Sequence, residues 1–368
     1  MMNSQTITQA VPELRPVKLG PLSSSPVVSV LVCNYNYARY IGETIESVLG
    51  QSYQFFELIV CDDGSTDESC EVVQRYAARD PRLRLIRKAN GGQASAFNFA
   101  YRHSRGEIIC FLDSDDRYLP QKLQAVVEAF QSNPECGFLM HRQLVIDQAG
   151  RRVGSQPLMG SLPSGWCGPM ALENAGRMPV CAACSGLCLR REIAGEIFPL
   201  PENFTGCYGD GLLIALPPLL TPIAGIDTPL SEYRQHGGNL SANAPSTQSL
   251  LERNLTVFRG IWDAQKAFLD RLDPEVGAAL APIETHTSYL VHAYTLARLR
   301  RDGSAGEAYR KLVRDRNFAL LPRPLRFFWR MSVGLPDRLF ARAAEFIWGQ
   351  NALKRLLSLL LARIRSWK

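Results

Sequence analysis

Four short apolar runs alternate with amphipathic segments in the first third of the chain. The runs are VVSVLVC (27–33), FELIVC (56–61), LRLI (83–86) and EIICFLD (107–113). The segments between them show helical spacing, since Ile41, Ile45 and Val48 fall on one side of a helix over 40–51. Strands that alternate with helices of about 10–15 residues are typical of an α/β fold. The pattern predicts a mainly parallel sheet covered by helices.

Polar residues follow each apolar run directly. In open parallel sheets, ligands bind beyond the carboxyl ends of the strands. The sequence therefore predicts one crevice, lined by residues 34–36, 62–63, 87–90 and 113–116.

The strand pattern disappears after about residue 250. Residues 250–301, 304–319 and 336–366 have helical spacing, with Pro322, Pro324 and Pro336 as breaks. We expect three regions: a flexible tail over 1–26, an α/β domain over 27–245 and a helical basic region over 246–368.

No secretory signal or membrane span is predicted. The first 26 residues are polar, and no apolar stretch reaches the roughly 18 residues that a spanning helix needs. The longest candidate, residues 212–226, contains three prolines and indicates buried core. SGLCLRRE (185–192) predicts a strand followed by a helix.

Charge and cysteines are unevenly placed. The net charge is +6, but residues 297–368 hold 17 Lys and Arg against 5 Asp and Glu. The ten cysteines are scattered, which favours reduced thiols in a cytoplasmic protein. Cys181, Cys184 and Cys188 are spaced like zinc ligands, but no fourth ligand follows at suitable spacing, so zinc is a weak alternative.

Three carboxylates end the fourth run, in IICFLDSDD. Asp113, Asp115 and Asp116 would repel one another unless a cation lies between them. A divalent metal site is one interpretation, and a solvated turn that caps the next helix is the other. The motif DDGSTDES also has two interpretations, a binding site or an ordinary helix start, because Ser65 and Glu68 form a capping box.

Several ordered motifs together resemble the family 2 glycosyltransferases. They are VSVLVCNYNYARYIGETIESVLGQSY, ELIVCDDGSTDES and ANGGQASAFNFAYRHSRGEIICFLDSDD, and the resemblance extends from Val27 to Asn243. It implies the Rossmann-like GT-A fold and the inverting transfer of a sugar from a nucleoside diphosphate sugar, with a UDP-sugar favoured. It also implies a Mn²⁺ or Mg²⁺ cofactor.

The resemblance assigns roles to residues of the crevice. Asp113 and Asp115 match the metal-binding DxD. His236 of the YRQH segment, before the Gly237–Gly238 loop, would be a further metal ligand or would donate a hydrogen bond to the diphosphate. The implied donor nucleotide-binding residues are Asn34, Tyr35, Asp62, Asp63, Asn90, Gly91, Asp113, Ser114 and Arg234. Asp62 would bind the base, and Arg234 would pair with phosphate.

Asp210 matches the position of the general base. The family usually has a Glu-Asp pair here, whereas this chain has Gly209 before Asp210. An Asp before an apolar helix is also a good N-cap, so the helix alone would account for it.

The implied acceptor is a glycan or a lipid-linked glycan of a bacterial cell-surface polysaccharide. Leu353, Leu356, Leu360 and Ile364 recur at helical spacing among basic residues, which indicates a helix on an anionic membrane surface or on a protein partner. No nucleic-acid partner is expected, because no fold of that class accompanies the charge. We expect a cytoplasmic protein, with peripheral association at the inner face of the membrane.

Two other functions compete with this interpretation. One is a nucleotidyltransferase on a similar sheet, which would release pyrophosphate. The other is a catalytically silent module that binds a nucleotide sugar or a membrane, an alternative that the Gly209 departure leaves open.

Overall fold

A computed structural model describes residues 14–155, 161–178, 180–202, 209–236 and 246–348. Its central feature is one sheet that contains every described strand. The strands are β1 Val28–Asn34, β2 Phe56–Asp62, β3 Leu83–Arg87, β4 Ile108–Asp113, β5 Arg117–Tyr118, β6 Phe138–Ile146, β7 Arg152–Ser155, β8 Leu187–Arg190 and β9 Ile223–Arg234. Their order is β3-β2-β1-β4-β8-β6-β9-β5, with β7 beside β6.

Helices cover the sheet and then form a C-terminal region. Those of the sheet domain are α1 Ile41–Leu49, α2 Ser69–Ala77, α3 Gly92–His103, α4 Lys122–Ser132, α5 Gly168–Glu173, α6 Arg191–Ile197 and α7 Gly209–Ala215. Those that follow are α8 Thr247–Leu272, α9 Pro274–Ala278, α10 Thr287–Arg300, α11 Ala305–Arg314, α12 Arg323–Met331 and α13 Asp337–Trp348. Short 3₁₀ helices occupy Cys184–Gly186, Pro217–Leu219, Ile283–Thr285, Arg316–Leu320 and Ser332–Gly334.

The first four strands run parallel, as predicted. β1 lies between β2 and β4, and β2 pairs with β3, all in parallel register. Successive side chains of β1 enter different cores, because strand side chains alternate between faces. Val30 and Val32 join one core and Leu31 joins the other. Burial on both faces explains why β1, β2 and β4 are nearly continuous apolar runs.

The other half of the sheet is mixed rather than parallel. β8 is antiparallel to β4 and β6, whereas β6 and β9 are parallel to each other. The predicted strand and helix in 185–192 are confirmed as β8 and α6. The apolar stretch 212–226 is largely buried core, as predicted, with Leu213 and Leu219 fully inaccessible to solvent.

The segment 250–301 is mostly helical, as predicted, but it is not one helix. The segment divides into α8, α9 and α10, because Asp273 caps α9, whose first residue is Pro274. Proline cannot donate the hydrogen bond that would continue α8. Residues 304–319 are α11 followed by a 3₁₀ turn, and the predicted helix 336–366 is described only as α13, its remainder lying outside the described residues. Pro324 lies in the first turn of α12 rather than in a break.

The C-terminal helices have a core of their own and also contact the sheet domain. Tyr294, Trp329 and Phe340 are buried in that core. Gln265 of α8 donates to the carbonyls of Gly176 and Ala215, at 2.7 Å each. This amide therefore fixes α8 against the sheet domain.

The segment 14–26 runs along the sheet domain. The Val17 N–H donates to Leu220 O at 2.7 Å, and the Tyr53 hydroxyl donates to Pro26 O at 2.8 Å. The domain boundaries at residues 26 and 245 stay predictions. None of the described helices combines the length and apolarity that crossing a bilayer requires.

Candidate active site

The carboxyl ends of β1, β2 and β4 meet at one edge of the sheet. Asn34 lies opposite Asp62, and Cys33 lies opposite Asp113, in parallel register. The structure thus brings together the polar residues that follow these strands.

Asp62 and Asn34 form a buried polar pair at the ends of β2 and β1. Asn34 Nδ2 donates to Asp62 Oδ2 at 2.8 Å, and the Ser65 N–H donates to Asp62 Oδ1 at 3.0 Å. Burial alone would raise the pKa of Asp62, but hydrogen bonds from Ser65 and Asn34 outweigh it and lower the pKa. Asn34 Oδ1 is buried without a partner among the described residues. An unpaired buried acceptor is costly, so a ligand donor would be favoured here.

The chain turns sharply after β1. Asn36 has a φ of 60°, and its side-chain oxygen accepts from the Thr66 N–H at 2.7 Å. Asparagine tolerates this left-handed conformation better than most residues. Tyr35, beside it, is 46% exposed and accessible to a ligand.

Asp63 binds the start of α3 instead of facing open solvent. Its carboxylate accepts from Lys88 Nζ at 2.7 Å, from the Gly91 N–H at 3.0 Å and from the Gly92 N–H at 2.7 Å. A carboxylate at a helix N-terminus is stabilised by the helix dipole. The Gly91 and Gly92 N–H groups are therefore engaged by a protein carboxylate.

Asn90 lies exposed beside this turn. A Cβ on Gly64 would come within 2.9 Å of the Asn90 backbone nitrogen. Gly64 has a φ of +79°, so glycine suits both its conformation and this close approach. Contact of Asn90 or Gly91 with a donor stays a prediction.

The DSDD segment is held by a serine that the sequence did not reveal. The Asp113 N–H donates to Ser185 Oγ at 3.0 Å, and that hydroxyl donates to Asp116 Oδ2 at 2.6 Å. Ser114 Oγ donates to Cys33 O at 2.6 Å. Asp116 is fully buried and is thus a structural anchor for the segment.

Negative charge is concentrated at this edge of the sheet. Burial, and then the charges of Asp115 and Asp210, raise the pKa of Asp113 to about 8. Burial and the same cluster also raise the pKa of Asp116 well above its ordinary value. A cation bound beside these carboxylates would favour their ionised forms and lower their pKa values.

Asp115 and His236 are in direct contact. His236 Nε2 lies 2.9 Å from Asp115 Oδ2, and both side chains are 8% exposed. The Tyr40 ring lies 5.0 Å from the imidazole, between centroids. The predicted metal ligands Asp115 and His236 are therefore adjacent, just beyond the end of β9, whereas Gly237 and Gly238 lie outside the described residues.

Arg234 is buried in the protein rather than exposed to the crevice. Its Nε donates to Asp115 O at 2.7 Å, and Nη2 donates to Glu43 Oε2 at 2.7 Å. Its backbone N–H donates to Asp116 Oδ1 at 2.8 Å. These contacts assign Arg234 to holding the DSDD segment, and its contact with phosphate stays a prediction.

Asp210 lies in the first turn of α7, near Asp113. Burial raises the pKa of Asp210 to about 6. Gln93 joins the two carboxylate positions, since its Nε2 donates to Asp113 Oδ1 at 3.2 Å and its Oε1 accepts from the Asp210 N–H at 3.4 Å. Gln93 was not predicted from the sequence, although its place directly after Gly91 and Gly92 was a signal that could have identified it.

Gly209 has a packing reason. A Cβ there would lie 3.0 Å from the Cα and N of Ala94, in the first turn of α3. The α3 and α7 backbones approach too closely to admit a side chain without a shift. Close packing thus accounts for glycine where the family usually has glutamate.

The residues present suit a hard divalent cation without enclosing it. Nowhere in 14–155, 161–178, 180–202, 209–236 or 246–348 do three or more His, Cys, Asp or Glu side chains form a metal-binding group. Mg²⁺ commonly binds through one or two carboxylates, with substrate phosphates as further ligands. Asp113 and Asp115 are carboxylates of the kind that such an open site uses, and metal binding by these two residues and His236 stays a prediction.

Comparisons with known proteins agree with these features. The family profile "Glycosyl transferase family 2" matches residues 29–194. An uncharacterized glycosyltransferase of Nostoc sp., alr2836, is 36% identical over 225 residues, which are 60% of this chain and 69% of that protein. Chondroitin synthase of Escherichia coli is 32% identical over 155 residues, or 41% of this chain and 23% of the synthase. The chain thus matches less than a quarter of the synthase.

Solved structures share the fold. Staphylococcus aureus TarS 1–349, in complex with UDP-GlcNAc, aligns with a TM-score of 0.53 and 18% identity, covering 88% of this chain and 93% of TarS 1–349. The mixed sheet with flanking helices is accordingly the GT-A-like fold, with a helical C-terminal region, as predicted. From the profile match and the Nostoc relative, we conclude that the chain belongs to glycosyltransferase family 2.

Proposed function

We propose that the protein transfers a sugar from a nucleoside diphosphate sugar, with a UDP-sugar favoured, to a glycan or lipid-linked acceptor, with inversion at the anomeric carbon. The observation that carries the proposal is the group of buried carboxylates at the sheet edge, with the pKa of Asp113 raised to about 8 and that of Asp210 to about 6. Family membership supports the reaction class. TarS, which shares the fold, was crystallised with UDP-GlcNAc.

The donor would lie across the ends of β1, β2 and β4. Asp62 and Asn34 would receive the base, since Asn34 Oδ1 is a buried acceptor without a described partner. A nucleobase N–H would satisfy it, and each Asp62 oxygen retains capacity for a second hydrogen bond. Tyr35, exposed at the same strand end, would cover the base.

Asp113, Asp115 and His236 would hold Mn²⁺ or Mg²⁺ against the donor diphosphate. When bound, such a cation neutralises negative charge as the diphosphate leaves. The two carboxylates and the imidazole would supply oxygen and nitrogen ligands, and the donor phosphates would supply further oxygen ligands.

Asp210 would act as the general base. Its carboxylate removes the proton of the acceptor hydroxyl while that oxygen attacks the anomeric carbon, and the bond to the diphosphate breaks on the opposite side. A pKa of about 6 leaves Asp210 mostly ionised at neutral pH and still basic enough to accept a proton. Gln93, which is hydrogen-bonded to both residues, would fix the position of Asp210 relative to Asp113.

The acceptor belongs to bacterial cell-surface polysaccharide synthesis in this proposal. Matched relatives include chondroitin synthase of Escherichia coli and hyaluronan synthase of Pasteurella multocida, the latter 36% identical over 118 residues, 12% of its length. These partial matches support a polysaccharide product. Residues between Asp116 and Asp210 would form the acceptor side of the site.

Calorimetric titration of the full chain with UDP, dTDP, GDP and CDP tests the proposal. We expect one diphosphate to bind with Mn²⁺ present and to be released by EDTA. Release of UDP from a panel of UDP-sugars with glycan acceptors then tests turnover. Metal-dependent binding without turnover would indicate a silent module, and pyrophosphate release from a nucleoside triphosphate would indicate a nucleotidyltransferase.

A further inference from the structure

Exposed large apolar side chains are concentrated near the end of the described chain. Phe327 is 68% exposed, Met331 56%, Val333 51%, Leu339 53% and Phe346 41%. They lie on α12, on α13 and in the 3₁₀ turn that joins these helices. Single exposed apolar residues are ordinary, but these five lie within twenty residues of sequence, and the two helices that carry most of them pack on one core through Trp329 and Phe340.

The helical register separates these side chains from the core. Phe327 and Met331 are four residues apart on α12, so they lie on one face, opposite the buried Trp329. Leu339 and Phe346 are seven residues apart and share a flank of α13, whose core side holds Phe340. Both helices therefore bury one side and present another apolar side outward.

Arginines accompany the exposed apolar residues. Arg323, Arg338 and Arg342 are exposed, and none of them pairs with a carboxylate in the described part of the chain. Asp337 is instead engaged by Arg298 at 3.2 Å and Arg301 at 3.3 Å. Positive charge is thus left uncompensated beside the apolar side chains.

We propose that this arginine–apolar surface, made of Phe327, Met331, Val333, Leu339 and Phe346 with Arg323, Arg338 and Arg342, docks on an anionic lipid bilayer. Apolar side chains enter the interface while arginines meet anionic headgroups. A second copy of the chain fits less well, because a symmetric contact would place like charges against each other. Docking adds a location to the proposed sugar transfer and does not depend on it.

Vesicle co-sedimentation of the full chain tests the proposal. We expect binding to phosphatidylcholine vesicles that contain about one-third phosphatidylglycerol, and much weaker binding to phosphatidylcholine alone. The double variant Phe327→Ser/Met331→Ser should bind about tenfold more weakly. Arg338→Gln/Arg342→Gln should lose about fivefold per arginine, from roughly 1 kcal/mol per basic residue.

A matched control removes exposed apolar side chains elsewhere. Phe55 is 57% exposed and precedes β2, and Leu272 is 49% exposed and is the last residue of α8. Phe55→Ser/Leu272→Ser should bind vesicles like the wild type. Equal losses in both apolar double variants would overturn the assignment of the surface.

Other occupants give different outcomes. Absence of wild-type binding to anionic vesicles would refute the proposal. A dimer in solution that Phe327→Ser/Met331→Ser dissociates would assign the surface to a second copy instead. Every variant should keep the wild-type affinity for UDP. UDP titration of the same samples therefore distinguishes a failure of membrane docking from a failure of the proposed catalytic function.

Discussion

At the scale of single residues, the environment of Asp210 sets the expected pH dependence. Burial raises its pKa to about 6, and a general base works only when ionised. Below pH 6, kcat/KM should therefore fall about tenfold per pH unit, and above it the profile should level off. Initial rates from pH 4.5 to 8 measure this. A profile flat through pH 6 would remove Asp210 from the role of base.

Replacing the same carboxylate separates chemistry from binding. Asp210→Asn should lower kcat by about 10²–10⁴, the usual contribution of general base catalysis, with UDP affinity within about threefold of wild type. Asp263→Asn is the control, since that carboxylate is exposed on α8. Turnover that survived Asp210→Asn would contradict the base assignment.

Gln93 is expected to act as a positioning residue. Its amide joins Asp113 to the Asp210 N–H, so Gln93→Ala should lower kcat about tenfold through misplacement of the base. Gln93→Glu should be worse and should shift the acid limb of the pH profile upward, because a further carboxylate disfavours ionisation of Asp210.

The acid limb of the pH–rate profile distinguishes a positioning role of Gln93 from a general loss of folded protein. Gln74 is exposed on α2, so Gln74→Ala should change neither kcat nor the pH profile. If Gln93→Glu leaves the acid limb where it is in the wild type, Gln93 only supports folding.

At the scale of elements, the approach of α3 to α7 explains the one departure from the family motif. A Cβ on Gly209 would lie 3.0 Å from the Ala94 backbone, which cannot rotate away as a side chain could. Gly209→Ala should therefore lower the free energy of unfolding by about 1–3 kcal/mol, despite the better helix propensity of alanine. Urea denaturation measures it. Gly303→Ala, whose Cβ would meet nothing within 4 Å, should be nearly neutral.

Elements were predictable from sequence where one apolar pattern covers the whole strand. β1, β2 and β4 are buried on both faces, so their apolar runs were visible, whereas the partly exposed β3 has a shorter run. β6 and β9 carry buried polar residues, such as Gln143 and Glu232, and gave no such signal. Glu232 is neutralised by Arg117 at 2.7 Å and Arg152 at 2.8 Å, partners that only the tertiary fold brings near.

The site was predictable to the same degree. Strand ends locate Asn34, Asp62 and Asp113, because the carboxyl ends of parallel strands share an edge. Their supporting partners were not predictable, since Ser185 comes from a distant turn. The burial of Arg234 also could not be predicted, because its partner Glu43 lies on α1.

At the scale of the whole molecule, the carboxylate cluster makes stability depend on pH and metal. The pKa of Asp113 is raised from 3.8 to about 8, so between these values the folded protein holds a proton that the unfolded chain has lost. Stability should therefore fall as pH rises from about 4 to 8. In EDTA, Asp113→Asn should remove part of this fall and raise the free energy of unfolding at pH 7.5 by about 1–3 kcal/mol.

In EDTA we expect Asp113→Asn to be more stable than the wild type, and Mn²⁺ with UDP should reverse this order of stability. Ligands that bind only the folded state stabilise it by RT ln(1 + [L]/Kd), about 2.7 kcal/mol at a hundredfold excess over Kd. With Mn²⁺ and UDP, the Tm of the wild type should rise above its value in EDTA, whereas Asp113→Asn should gain little. Thermal unfolding of both proteins at pH 7.5, with and without ligands, measures this crossover. Equal gains in both would show that Asp113 holds no metal, and the excess negative charge at the sheet edge would then need another counter-ion.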